Sequence, residues 1–119
     1  MGKPTDQDEG PARFEILFTE GAEQDLREIH AWLSDTTSPK QADRLALQIS
    51  ETIARLAHFP HRGSQPPELV DLGIHRYRQT LVKPWRLIYQ VNDQQVIILL
   101  IADTRRDLTS LLTRRLLRS

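Results

Sequence analysis

The chain has no cysteine among its 119 residues, which excludes disulfides, a thiolate metal site and a cysteine nucleophile. Aromatic side chains are scarce, with two tryptophans, two tyrosines and three phenylalanines. The two tyrosines are Tyr77 and Tyr89, and no histidine follows His75, so the C-terminal stretch offers few side chains able to deliver a proton. Lysine is nearly absent as well. Of 16 basic residues only Lys3, Lys40 and Lys83 are lysines, and the rest are arginines, whose planar forks suit phosphates, carboxylates and flat surfaces. No apolar run approaches the ~20 residues of a membrane-spanning helix. The longest, Val96–Ala102, has the length of a strand. Residues 1–12 lack the apolar stretch of a signal peptide, and we expect a disordered leader ahead of one domain over residues 13–119. A cytoplasmic protein is the expectation.

What is present is sorted by charge. Residues 1–35 carry nine acids and three bases, residues 36–71 four of each, and residues 72–119 three acids and nine bases. The formal net charge of zero therefore conceals a chain that is acidic at one end and basic at the other. A basic half on a neutral protein points to a local anionic partner.

The pattern of apolar residues predicts the elements. Phe14–Phe18 reads as a strand. Thr19 then caps a helix whose Ala22, Leu26, Ile29 and Leu33 fall on one face. Ser38-Pro39-Lys40-Gln41 opens a second helix with a serine cap, proline at the first position and glutamine closing the box. Ala42, Leu45, Ile49, Ile53 and Leu56 form its apolar stripe, and Pro60 ends it. Helices joined this tightly form an antiparallel hairpin. His61–Gly73, rich in proline and glycine, reads as a loop.

Three strands follow. Over Ile74–Val82, Arg76, Arg78 and Thr80 point one way. Over Trp85–Val91, the residues Trp85, Leu87, Tyr89 and Val91 form the core side, while Arg86 and Gln90 face out. Asn92-Asp93 reads as the turn before Val96–Ala102, which is apolar on both faces and belongs mid-sheet. Asp107 or Thr104 caps a last helix with Leu108, Leu111, Leu112, Leu116 and Leu117 apolar and Arg114, Arg115 and Arg118 near its negative end. The expected fold class is α+β, a helical hairpin packed on one face of a mostly antiparallel sheet, and the expected site is one arginine-rich sheet face.

Ile53-Ala54-Arg55-Leu56 before a His/Pro loop, Tyr77-Arg78 followed by Arg86-Leu87-Ile88-Tyr89, and Thr104-Arg105-Arg106-Asp107-Leu108 after the last strand occur in this order. That combination, over residues 13–117, resembles the RelE/ParE toxin superfamily. The two-arginine step and the leucine-rich final helix are more similar to the ParE branch. The resemblance implies a type II toxin–antitoxin system, with a toxin neutralised by a cognate antitoxin in a hetero-oligomer. It implies DNA gyrase as the target in the ParE branch, and ribosome-dependent mRNA cleavage in the RelE branch. Growth arrest and plasmid stabilisation would follow from either.

Cleaving RNA through its 2′-hydroxyl requires a base, cations at the phosphate and an acid for the leaving oxygen. Lys83, Arg76, Arg78, Arg86 and Arg105 supply cations and, on the nuclease reading, Lys83, Arg78, Arg86 and Arg105 would be the catalytic set. RelE-like nucleases carry a late Tyr or His, which this chain lacks. Asp103, beside Arg105, is expected to stay ionised. The leading expectation is inhibition by binding through Arg76, Arg78, Arg86, Arg105 and Arg106; the alternatives are an endonuclease and a decayed toxin that binds only its antitoxin. Arg86 pairing with an acid across the sheet is the plain structural alternative for that residue. No cofactor or metal is expected, since His58 and His61 are separated by Pro60 and lack evident co-ligands.

Overall fold

The protein is described by a computed structural model over residues 13–118; the expected leader and the side chain of Arg118 lie outside the described residues. The elements run β1 Glu15–Phe18, α1 Glu20–Thr36, α2 Pro39–His58, α3 Pro67–Val70, β2 Tyr77–Val82, β3 Trp85–Asn92, β4 Gln95–Asp103 and α4 Leu108–Arg118. The helix starts follow their caps. The Thr19 hydroxyl accepts from the Ala22 amide at 3.1 Å, and the Ser38 hydroxyl from the Gln41 amide at 3.1 Å. The Asp107 carboxylate accepts from the Ser110 amide and hydroxyl. Each satisfies a donor that the first turn of a helix leaves without an intrahelical partner.

The sheet has the order β1-β4-β3-β2, with β1 parallel to β4 and the other pairs antiparallel. β4 lies inside the sheet, as its two apolar faces require. On one face Val82, Leu87, Tyr89, Val96, Ile98 and Ile101 pack against Ala22 and Ile29 of α1 and Leu45, Ile49 and Leu56 of α2. On the other, Tyr77, Ile88, Leu100 and Ala102 pack against Leu69 of α3 and Leu108 and Leu112 of α4. A leucine or isoleucine buried this fully contributes about 1.5–3 kcal/mol, so these two cores hold the three layers together.

Three local expectations are corrected. The segment read as loop contains α3, which starts at Pro67 and buries Leu69. β2 begins at Tyr77 rather than Ile74, because the Ile74 amide goes to the Leu69 carbonyl and the His75 carbonyl accepts from the Gln65 side chain. Asn92 remains paired with Gln95, so the hairpin turn is Asp93-Gln94, with Asp93 at φ 47°.

A larger correction concerns the arginines. A two-residue turn pairs Val82 with Trp85, which sets Arg78 opposite Tyr89 and Arg86 opposite Leu81. Side chains alternate along each strand, so Arg78 belongs to the helical-hairpin face and Arg86 to the α3/α4 face. The single arginine face expected for Arg76, Arg78, Lys83, Arg86 and Arg105 does not form.

Candidate functional site

The basic residues of the C-terminal half occupy distinct settings. Arg78 reaches over the loop that follows α2 and donates to the carbonyls of His61 at 3.2 Å and Gly63 at 2.7 Å. Tyr89 works on the same loop, its hydroxyl donating to the Pro60 carbonyl at 2.8 Å and accepting from the Gly63 amide at 3.1 Å. Burial pushes the Tyr89 hydroxyl above its ordinary pKa, against the weaker opposing pull of the Gly63 amide and Arg78. Residue 63 has to be glycine here, because a Cβ would run into the Tyr89 hydroxyl and the Gln79 carbonyl.

Arg86 is not on the outer surface. Its side chain is 8% exposed and pairs with Glu68 of α3 at 2.8 Å, with a second bond to the Gln79 side chain at 3.0 Å. The Arg86 hydrogen bond lowers the Glu68 pKa, outweighing partial burial. The sequence alternative of an acid partner for Arg86 is realised, although the acid comes from α3 rather than from a neighbouring strand.

The turn after β4 is different. Arg105, 87% exposed, clasps Asp103 through Nε and Nη2, both at 2.9 Å, and its amide adds a bond of 2.8 Å. The hydrogen bonds from Arg105 bring the Asp103 pKa down to about 2, so this carboxylate is ionised at neutral pH. Arg76 lies over the Tyr77 ring, 5.8 Å from its centre. The side chains of Lys83, Arg106 and Arg114 make no ion pair or hydrogen bond among the described residues. Arg106 borders two adjoining clefts, one of about 180 Å³ between α1 and the ends of β3 and β4 and one of about 210 Å³ between α1 and α4. Asp25, Glu28, Ile101 and Ala102 line both.

These clefts follow an edge of the sheet. β1 pairs with β4 only as far as Phe18 opposite Ile98, and among the described residues no strand flanks β4 on that side beyond this point. The register between β3 and β4 also shifts here, pairing Ile88 with Leu100 and Tyr89 with Ile98 and leaving Leu99 as the extra residue. Side chains serve the backbone that a longer β1 would have paired. The Asp25 carboxylate accepts from the Ile101 amide at 3.0 Å, and Arg115 donates to the Leu99 carbonyl at 2.7 Å. Asp25 and Arg115 pair with each other at 2.8 Å, with side chains 14% and 18% exposed. The stem of Arg115 passes so close to Gly21 that a Cβ there would collide with it. The sequence placed Arg115 as a charge near the end of the last helix, and its pairing with Asp25 was not foreseen.

The family of ParE toxins of the type II toxin–antitoxin system parDE matches residues 16–108. The chain belongs to this ParE toxin family. Toxin ParE3 of Caulobacter vibrioides is 27% identical over 100 residues, covering 84% of this chain and 96% of the relative. Among solved structures, the chromosomal ParDE toxin–antitoxin system from P. aeruginosa is similar with a TM-score of 0.63 at 21% identity, over 77% of this chain and 97% of that one. The toxin–antitoxin complex RelBE2 from Mycobacterium tuberculosis gives 0.55 at 20% identity, over 82% and 98%. The two solved structures support the fold. Within this ParE-family chain, Arg78 and Arg86 are tied into the scaffold, while Arg76, Arg105 and Arg106 reach solvent.

Proposed function

We propose that this toxin arrests growth by binding DNA gyrase, without cleaving RNA, and that a cognate antitoxin neutralises it in a hetero-oligomer. The observation that carries the reading is the state of Tyr77, Tyr89 and Asp103. Tyr77 is buried, Tyr89 is buried with its hydroxyl committed to Pro60 and Gly63, and Asp103 is held as an anion by Arg105. None of the three is presented as a proton donor beside the cations. Exposed Arg76, Arg105, Arg106 and Arg114 offer positive charge suited to gripping an anionic partner surface. ParE-branch membership favours gyrase as that partner.

The strandless edge of β4 past Ile98, between α1 and α4, supports the antitoxin half of the reading. An extended antitoxin segment lying along this edge would meet Arg106 and Arg114 with its acidic side chains. The test adds the purified chain to two reactions, gyrase supercoiling of relaxed plasmid and translating ribosomes with mapped mRNA ends. Supercoiling should stop and the mRNA stay intact, with activity restored by the protein encoded beside the toxin gene. Ribosome-dependent cuts with unaffected gyrase would replace this reading with the nuclease one.

A further inference from the structure

Away from the basic surface just described lies a larger cleft, about 480 Å³, where the turn between α1 and α2 faces the β2–β3 turn. Leu33, Leu45, Pro84 and Trp85 give it apolar walls. Arg44 from α2 and Lys83 from the β2–β3 turn supply its charge, and no aspartate or glutamate lines it. Gln41, Arg44 and Gln48 recur at helical spacing, so α2 turns three polar side chains toward the same cleft. Among the described residues neither the two cations nor the two glutamine side chains have a hydrogen-bond or ion-pair partner. Arg78, Arg86, Arg105 and Arg115 are by contrast all engaged with carbonyls or carboxylates.

We infer that this cleft binds a nucleotide, either free or as one unit of a strand. The phosphate lies between Arg44 and Lys83, and the base lies against the apolar wall that includes Trp85. Two unpaired cations in a cleft that no acid lines suit a polyvalent anion. The flat indole and the leucines suit a planar ring and would do little for a small inorganic ion. Gln41 and Gln48 carry both donors and acceptors, which match ring nitrogens, exocyclic groups and sugar hydroxyls, whereas an aliphatic anion would leave them unused. The volume falls in the range that holds a small organic ligand. This inference is independent of whether gyrase or the ribosome is the target.

The test is calorimetric titration of the full chain with AMP, UMP, adenosine, inorganic phosphate and a short 5′-phosphorylated oligonucleotide. Trp32→Phe leaves Trp85 as the only indole and reports by fluorescence whether the ligand sits at this wall. Saturable binding of AMP or UMP, with adenosine and phosphate each at least tenfold weaker and Trp85 perturbed, is the expected result. Binding of the oligonucleotide well above the mononucleotides would assign the source to a strand, and the reverse to free nucleotide. Arg44→Ala and Lys83→Ala should each weaken binding by about tenfold. Lys40→Ala, on the same helix but outside the cleft, should leave it unchanged, with thermal melting as the control for folding. Three results would overturn the proposal: no saturable binding, phosphate alone binding as well as AMP, or equal losses from Lys40→Ala and the two cleft variants.

Discussion

Arginine plays two roles in the C-terminal half of this protein, and burial separates them. Arg78, Arg86 and Arg115 are fastened to carbonyls or carboxylates and hold a loop, α3 and α4 in place. Arg76, Arg105 and Arg106 lie exposed at the ends of strands. The residues share one chemistry, and their surroundings decide what it does. A guanidinium shielded from water makes charge-assisted bonds that stabilise the fold, whereas an exposed ion pair contributes little to folding and stays available to a partner. Substitutions in the first group should therefore act on stability and those in the second on toxicity.

The largest effect is expected at Asp25–Arg115. Removing one member strands a shielded charge and also frees backbone groups of Leu99 or Ile101 that have no strand to turn to. Arg115→Ala should lower the unfolding free energy by about 3–5 kcal/mol in urea titration. The double change Asp25→Leu with Arg115→Met should recover part of that loss, since no lone charge remains. A loss under about 1 kcal/mol for Arg115→Ala would show that the pair is solvated and would blur the division between the two groups of arginines.

Arg86 comes next, because Glu68 is more open to water than Asp25. Arg86→Met should cost about 2 kcal/mol at neutral pH. The linkage has a definite sign. The folded state holds Glu68 below its ordinary value of 4.5, so the pair stabilises the fold above that pH and loses its contribution as pH falls through the folded value. The stability gap between the wild type and Arg86→Met should consequently narrow on acidification below the ordinary glutamate range. A gap constant with pH would mean that the Glu68 interaction contributes nothing.

Tyr89→Phe removes two bonds to the loop and should cost about 1–2 kcal/mol. Burial raises the Tyr89 pKa above the usual value of 10.0, so its contribution is present below that pH and disappears as pH climbs through the folded value. The variant should therefore show a flatter alkaline limb in its stability profile. Its toxicity in cells should fall only as far as its folded fraction does. A folded Tyr89→Phe protein without toxicity would return this hydroxyl to consideration as a chemical group.

The division between the two roles was only partly legible in the sequence. Caps at Thr19 and Ser38, the apolar stripe of α2 and the doubly apolar β4 follow from local pattern, and local pattern is what a sequence displays. The two-residue turn Lys83-Pro84 already implied that Arg78 and Arg86 lie on opposite faces; treating each strand's alternation separately concealed it. Asp25 and Arg115 are 90 residues apart and join at an irregularity in β4, for which periodicity carries no signal. α3 was hidden because a single turn bounded by Pro66 and Gly73 has the composition of a loop.

The smallest effect on folding should come from the change with the largest effect on toxicity. Arg105 is almost wholly exposed, and its clasp on Asp103 is local, closed within one turn of chain. Arg106 lends only its amide to that turn, donating to the Asp103 carbonyl, and substitution with alanine keeps that bond. Arg105→Ala with Arg106→Ala should thus leave the urea midpoint and the circular dichroism spectrum where they were, while Asp103 returns toward the ordinary carboxylate range. If these arginines grip the target, growth arrest on induction should disappear. Tyr77→Phe and His75→Gln, which remove candidate acids while keeping shape, should leave arrest largely intact. Should the double arginine variant remain toxic while either conservative change abolishes toxicity in a folded protein, the exposed arginines would lose their assigned role. Catalysis by the remaining side chains would then take its place.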